Sequence, residues 1–393
     1  MTFKPTAVLD LDVAALPPRL CELERFGSAL AVLRWRGRVV GQAFFDLHAS
    51  ELDQETLLGL LLQHAGTSFW EAWLRDHLGL GDAYPPAPVS ARVSVAICTR
   101  DRTEDLERCL TALAALPQDG QQICVVDNAP SSDATRQLVK RFPNVTYVLE
   151  ARPGLDVARN RAFQATEGEI IAFTDDDAVP DPMWLRNLLG HFSDPLVMAS
   201  TGLTMALELE HEAQVKFQSY GGFTRGFKTT VFDGGSHEPL LGWHAGAGVS
   251  MAVRRSLLDL VGQFDEALDA GTPTRAGGDS DMFRRILAAG YRIVYDPAAL
   301  SWHRHRRTEE ELTTQLVGYE IAAGALLGKA LLRDRNLSTL PHGWRLLRRR
   351  SRSTLAAAVR RRWPDMFMHV DCLRGLLGGP LHYLKSARAA ERT

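Results

Sequence analysis

The chain has 393 residues, 45% hydrophobic and 23% charged, with 45 Lys and Arg against 47 Asp and Glu. This mix excludes collagen-like, low-complexity and wholly disordered chains, and the length suits two or three domains. The net charge of −2 conceals an asymmetry: from Lys329 to Thr393 there are 15 basic and 4 acidic residues, a balance of +11, which leaves −13 on the rest. A basic tail on an acidic body points to an anionic partner surface. The longest apolar run, residues 321–332, is too short to span a bilayer and contains Lys329. No basic-then-apolar leader opens the chain, and five scattered cysteines without a CxxC pair argue against a disulfide framework or a structural zinc. The expectation is a cytoplasmic protein.

Residues 1–80 read as a small α+β module. Apolar runs from Ala29 to Trp35 and Val39 to Phe45 flank Arg36-Gly37-Arg38, a hairpin pattern, and a helical stripe runs from Leu52 to Leu78. Prolines 85, 86 and 88 mark a linker over 81–91. From Arg92 strands and helices alternate. The strands are Val93–Cys98, Ile123–Val126, Val145–Leu149 and Ile170–Phe173; the helices are Asp105–Leu116, Asp133–Arg141 and Val157–Thr166. This alternation predicts a mostly parallel α/β sheet with its ligand at the carboxyl ends of the strands. Further on, a glycine-rich loop at 242–248 leads to a strand at 249–253. A helix follows at 279–289 and a strand at 291–295, and beyond Thr308 the chain reads helical.

Three strand ends carry polar residues: Thr99-Arg100-Asp101, Asp127-Asn128 and Asp175-Asp176-Asp177. Three adjacent carboxylates repel one another unless a cation neutralises them, and Mg²⁺ or Mn²⁺ takes such oxygen ligands and bridges to phosphates. A solvated acidic loop is the plainer reading of the triplet. Asp279 and Asp281, in Gly277-Gly278-Asp279-Ser280-Asp281, open a helix, where N-capping is the plainer role. His303 follows the last strand and is a candidate third metal ligand. Arg159-Asn160 and Asp127 are candidates for holding a nucleotide.

In their order, these segments resemble the inverting family-2 glycosyltransferases of GT-A fold, over residues 92–307. Val93 to Arg102 looks like the family's opening strand, Val125-Val126-Asp127-Asn128 its second strand, and Ala158-Arg159-Asn160 its ARN element. Phe173-Thr174-Asp175-Asp176-Asp177 looks like its DxD region, and Tyr295 to His303 its terminal segment. The resemblance implies a GT-A (Rossmann-like) mostly parallel sheet flanked by helices, followed by a basic helical region over 308–393. It implies transfer of a sugar from a nucleoside-diphosphate sugar to an acceptor hydroxyl, with Mg²⁺ or Mn²⁺. Asp177 and His303 would hold the metal. Thr99, Arg100, Asp127, Arg159, Asp175 and Asp176 would bind the donor, and Trp243 and His244 would face the acceptor. Asp279 would be the base, with Asp281 as the alternative, because the family's usual Glu before the base is Gly278 here. The acceptor is expected to be a sugar or a lipid-linked molecule. Arginines interleaved with Trp344, Leu355 and Trp363 suit an anionic membrane surface, or equally a solvated helical face packed on its own domain, better than nucleic acid. Asp175-x-Asp177 also resembles the nucleophile motif of haloacid-dehalogenase-like phosphatases, which would need Lys216 or Lys228 beside it. A catalytically inactive nucleotide-sugar-binding protein is the third reading.

Overall fold

The computed structural model describes residues 3–81 and 90–392, so most of the expected linker, residues 82–89, lies outside the described residues. The N-terminal elements are β1 (Thr6–Asp12), β2 (Arg19–Leu20), β3 (Ser28–Trp35), β4 (Arg38–Asp46), β5 (Leu52–Asp53), α1 (Gln54–His64) and α2 (Thr67–His77). β3 and β4 form the expected hairpin, and β1, not foreseen, joins β3 in parallel. The helical stripe is two helices, because Ala65 and Gly66 both adopt extended backbone between them. One face of this sheet packs Ala31 and Leu33 against Leu57, Leu61 and Phe69 of the helices. Its other face presents Leu30, Val32 and Val39 to Leu203, Met205, Tyr295 and Leu300. A strand covered on both faces reads as an unbroken apolar run, which is what Ala29–Leu33 is. Arg34, bonded to both Asp10 and Asp181, ties this sheet to the rest of the molecule.

The central region contains β6 (Val93–Thr99), α3 (Thr103–Ala114), β7 (Gln122–Asn128), α4 (Ala134–Val139), β8 (Val145–Glu150), α5 (Leu155–Ala165) and β9 (Ile170–Asp175). It continues through β10 (Ala178–Pro180), α6 (Trp184–Leu189), β11 (Val197–Ala206), α7 (Glu212–Ser219), β12 (Thr230–Asp233), β13 (Ser250–Arg254), α8 (Leu257–Val261), α9 (Gly278–Ala288) and β14 (Arg292–His303). The sheet runs β10-β14-β11-β13-β9-β6-β7-β8, with β12 also on β14. The β9-β6-β7-β8 half is parallel throughout. β13 is inserted antiparallel between β9 and β11, while β14 runs parallel to β11. Leu106, Cys109, Leu110 and Leu113 of α3, at helical spacing, bury one stripe against Val95, Ile97 and Val125 on one face of this sheet. Ala158, Ala162 and Phe163 of α5 pack with Phe173 on the opposite face.

The C-terminal region is three helices, α10 (Glu309–Leu332), α11 (Thr339–Val359) and α12 (Trp363–Ala390). α10 and α12 meet at glycines: a Cβ on Gly324 would lie 2.1 Å from the carbonyl oxygen of Leu376, and one on Gly379 would lie 2.5 Å from Ala325 N. That close approach sets α10 across the carboxyl edge of the sheet, where it walls a cleft.

Candidate functional site

A cleft of about 990 Å³ opens over the carboxyl ends of β6, β7 and β9. Thr99, Arg100, Asn128 and Asp175–Asp177 line its floor. Trp243, Gly248 and Asp279 line a second side, and residues of α10 with Arg349 of α11 close a third. In a parallel sheet the chain leaves each strand at this edge, so polar residues converge here while the strands themselves stay apolar.

Asp176 and Asp177 are buried and paired rather than solvated, and Asp175 beside them is half-buried. Thr99 Oγ1 donates to Asp176 Oδ2 at 2.7 Å, and Arg102 donates to Asp176 Oδ1 at 2.7 Å and to Asp177 Oδ2 at 2.8 Å. His303 Nε2 lies 3.1 Å from Asp177 Oδ1. Burial, and then the neighbouring carboxylate Asp177, push the Asp175 carboxyl up to about 6. Burial works against ionisation of Asp177 too, but the charges of His303 and Arg102 overcome it and hold this carboxyl well below the usual range. Ligand atoms of Asp175, Asp177 and His303 all lie within 4.8 Å of one another. Two carboxylate oxygens and one imidazole nitrogen at this separation fit a divalent cation, and this N/O set suits Mn²⁺.

Asp279 stands at the start of α9 facing the cleft. Its Oδ2 accepts from the Gly248 backbone at 2.7 Å, and its Oδ1 accepts from the Ser280 backbone at 2.6 Å. Asp281, one residue beyond the next, is fully buried and does not line the cleft. It receives Lys329 Nζ at 2.8 Å, Arg285 Nε at 2.8 Å and Arg284 Nη2 at 3.2 Å. Burial would raise its pKa, but these three cations, Lys329 foremost, bring it down to about 2. Asp281 is therefore placed as an anchor between α9 and α10.

Gly278 is the departure from the family pattern, and the space a larger residue would need is already filled. A Cβ there would lie 2.0 Å from Oδ2 of Asp156. Asp156 Oδ1 accepts from Arg159 at 2.9 Å, while its Oδ2 has no hydrogen-bond partner. The same Arg159 nitrogen reaches Asp269 at 2.7 Å. A carboxylate thus stands beside the start of α9 after all, delivered from α5. Gly278→Ala should force Asp156 or α9 aside and lower stability by about 1–3 kcal/mol, the usual cost of overpacking. Urea unfolding would read it, and an unchanged midpoint would show that Asp156 does not occupy this place.

Of the residues expected at the site, Thr99, Arg100, Arg159, Asp175, Asp176, Asp177, Trp243, Asp279 and His303 all line the one cleft. Asp127, His244 and Asp281 do not. Asp127 sits at the end of β7, fully buried, with one oxygen accepting from the Tyr147 hydroxyl at 2.9 Å and the other unpartnered. Neither lysine required by the phosphatase reading reaches the triplet. Lys216 pairs with Glu309 and Lys228 with Glu71, and neither lines the cleft, so that reading loses its cation. Sequence reasoning missed Arg102, Asp156, Asp269 and Arg225. Arg102 was within reach, since an arginine three residues past a strand that ends beside an acidic strand end is a natural partner for it.

The parallel strand-helix half, the inserted antiparallel strand and the acidic cluster at the strand ends define the class, a GT-A α/β fold. Residues 94–235 match the family described as Glycosyl transferase family 2. Over 227 residues it is 27% identical to the pre-mycofactocin glycosyltransferase of Mycobacterium tuberculosis, covering 56% of this chain and 44% of that protein. Over 231 residues it is 26% identical to the glycosyltransferase AglE of Haloferax volcanii, covering 57% of this chain and 70% of that protein. The chain thus spans less than half the length of the mycobacterial relative. Among solved structures, the mannosyltransferase PcManGT of Pyrobaculum calidifontis, in complex with GDP-Man and Mn²⁺, superposes with a TM-score of 0.53 at 19% identity. That match covers 79% of this chain and 94% of that one.

Proposed function

We propose that this protein transfers a sugar from a nucleoside-diphosphate sugar to an acceptor hydroxyl with inversion at the anomeric carbon. The observation that carries the reading is that a cation-binding cluster and a separate, accessible carboxylate, Asp279, face the same cleft. The donor lies across the ends of β6, β7 and β9. Asp175, Asp177 and His303 hold Mn²⁺ or Mg²⁺, which when bound supplies neutralisation of the leaving diphosphate. Thr99 and Arg102 fix Asp176 and keep the triplet in one geometry. Asp279, its carboxylate oriented by the backbone N–H of Gly248, takes the proton of the attacking hydroxyl. The acceptor oxygen bonds to the anomeric carbon as the bond from that carbon to the phosphate oxygen breaks, and the nucleoside diphosphate departs. PcManGT, crystallised with GDP-Man and Mn²⁺, supports this donor class.

A thermal-shift screen of UDP- and GDP-sugars with and without Mn²⁺ tests the reading, since a ligand that binds only the native state raises its melting temperature. The expected result is one sugar nucleotide whose stabilisation requires the cation. Stabilisation without any turnover across acceptors would favour the inactive-binder reading.

The tail supports a peripheral membrane location. Among the described residues no helix is long and apolar enough to cross a membrane. On α11, Leu340, Trp344, Arg348, Arg352, Leu355 and Val359 recur every three or four residues and all are exposed, Val359 by 75%. Trp363 and Phe367 extend this apolar surface onto α12. Exposed apolar residues interspersed with arginines along one helix face suit an anionic bilayer interface. Each basic residue near an anionic surface contributes about 1 kcal/mol. The protein should co-sediment with anionic liposomes at low salt and be released as salt rises. Trp344→Ala with Leu355→Ala should weaken that binding. Equal recovery in the supernatant under all conditions would reject membrane docking.

A further inference from the structure

We propose that the side of the cleft beyond Asp279 is a phosphate-binding subsite, formed by Arg225, Arg275 and Arg349, so that the acceptor carries a phosphate group near its reacting hydroxyl. The inference rests on the glycosyltransferase reading and adds to it the chemical class of the acceptor.

The three arginines come from separate parts of the chain, the loop after α7, the loop before α9, and α11, yet all line the one cleft. Among the described residues none of them has a carboxylate within ion-pairing distance. Arg275 and Arg349 are exposed and Arg225 is half-buried; of the other arginines withdrawn from solvent, Arg34, Arg159 and Arg284 are paired with carboxylates, while Arg254 and Arg255, away from the cleft, are like Arg225 held by backbone oxygens. Arg225 is held only by backbone oxygens, donating to Trp243 at 3.2 Å and to Phe223 and Thr224 at 3.3 Å. Burial pulls its pKa below the ordinary guanidinium value, although Tyr295 and Asp279 oppose this. A guanidinium desolvated without an anion is destabilising until one arrives. Arg349 lines the cleft from α11, and desolvation, then the charges of Arg225 and Arg349, hold His244 below its ordinary pKa. Arg275 takes a left-handed backbone, φ 65°, uncommon for a non-glycine residue, with its Cβ near Gly318 of α10. Such strain persists where the surroundings over-determine it, as ligand sites do. The carboxylates on this wall are otherwise engaged or outlying: Glu320 accepts from Arg350, Glu311 caps α10, and Glu310 is exposed.

Strand order separates this subsite from the donor's. The nucleotide end lies over β6 and β7, on one side of β9. Trp243 and Gly248, by contrast, lead into β13 on the other side of β9, with Asp279 bonded to Gly248. Three guanidiniums on one cleft suit a phosphate, whose several oxygens accept charge-assisted bonds together, better than a single carboxylate. That phosphate is either a soluble phosphomonoester or a lipid headgroup. The second source has a physical route, because α11 contributes Arg349 to the cleft and the exposed apolar stripe to the outside.

The test uses the full chain saturated with Mg²⁺ and GDP or UDP, whichever raises the melting temperature, so that the donor's own phosphate positions are filled. Glycerol 3-phosphate is then titrated against glycerol. The expected result is stabilisation by the phosphate ester alone. Arg349→Gln and Arg275→Gln should each weaken it about tenfold or more, the usual worth of a charged hydrogen bond, with nucleoside-diphosphate affinity unchanged. Neutral vesicles with and without phosphatidate then separate the sources. Competition by phosphatidate assigns the subsite to a lipid headgroup, and its absence assigns it to a soluble ester; both keep the subsite. Glycerol 3-phosphate acting no better than glycerol, or binding both variants as tightly as the wild type, overturns it. A wild type that fails to bind nucleoside diphosphate defeats the donor reading instead, and the two failures are read separately.

Discussion

Asp177→Asn should leave a folded protein with no measurable sugar transfer and with Mn²⁺ affinity in the nucleoside-diphosphate complex reduced about tenfold or more. The amide keeps the volume of a side chain that is 5% exposed, so packing is preserved. It removes the charge that sits between His303 Nε2, at 3.1 Å, and Arg102, at 2.8 Å. Two cationic or potentially cationic groups then face a site meant for a divalent cation, which binds through charge as much as geometry. Asp177→Ala should do the same and lose more stability, because both variants break the buried ion pair but only alanine also removes the side-chain oxygen that can still accept from Arg102 and His303. Circular dichroism separates the two variants, and titration of Mn²⁺ followed by its electron paramagnetic signal reads the affinity directly. Wild-type activity that survives excess EDTA, or an Asp177→Asn variant that binds Mn²⁺ normally, would remove the cation from this cluster.

The parallel half of the sheet was legible because each strand is a short apolar run bounded by polar residues, and α3 carries leucines at helical spacing. The other half was not. The final strand was expected to stop at Tyr295, before a proline that has no N–H to give a ladder. It continues to His303 because Pro297 falls in a bulge. β14 pairs with β12 up to Tyr295 and with β10 only from Ser301, and its register with β11 shifts between the same points. No periodicity announces such a gap. β1 was missed because its parallel partner, β3, lies sixteen residues away across a two-residue strand and a turn. At the site, the strand-end polar residues and Asp279 could be read from motif order. The arginines Arg225, Arg275 and Arg349 could not, because segments distant in the sequence bring them to one cleft only in the folded chain. The Gly278 departure looked like the loss of a carboxylate. Only the three-dimensional structure brings Asp156 into that space.

Asp279→Asn should retain the donor complex while turnover falls by about 10²–10⁴-fold, the range that general-base catalysis supplies. The amide can still accept the N–H bonds of Gly248 and Ser280 through its oxygen, so the side chain keeps its place at the start of α9. What it loses is the ability to take a proton. The comparison with Asp281 is the decisive part. Asp281→Asn strips one anion from Lys329, Arg284 and Arg285, three cations clustered beneath α9. Its principal effect should be on unfolding, by several kcal/mol, since uncompensated buried charge is among the costliest defects. That stability loss should appear as the pH rises past the carboxyl's own titration and fade in acid. Its folded pKa of about 2 lies below the unfolded value, so the stabilisation it gives is present at neutral pH and lost as pH falls through that value. The two variants therefore diverge in what they damage: Asp279→Asn the rate at constant melting temperature, Asp281→Asn the melting temperature first. If instead Asp279→Asn turns over normally while folded Asp281→Asn is dead, the proton leaves by the buried carboxylate, and the cleft geometry described above is not the one in which the reaction occurs.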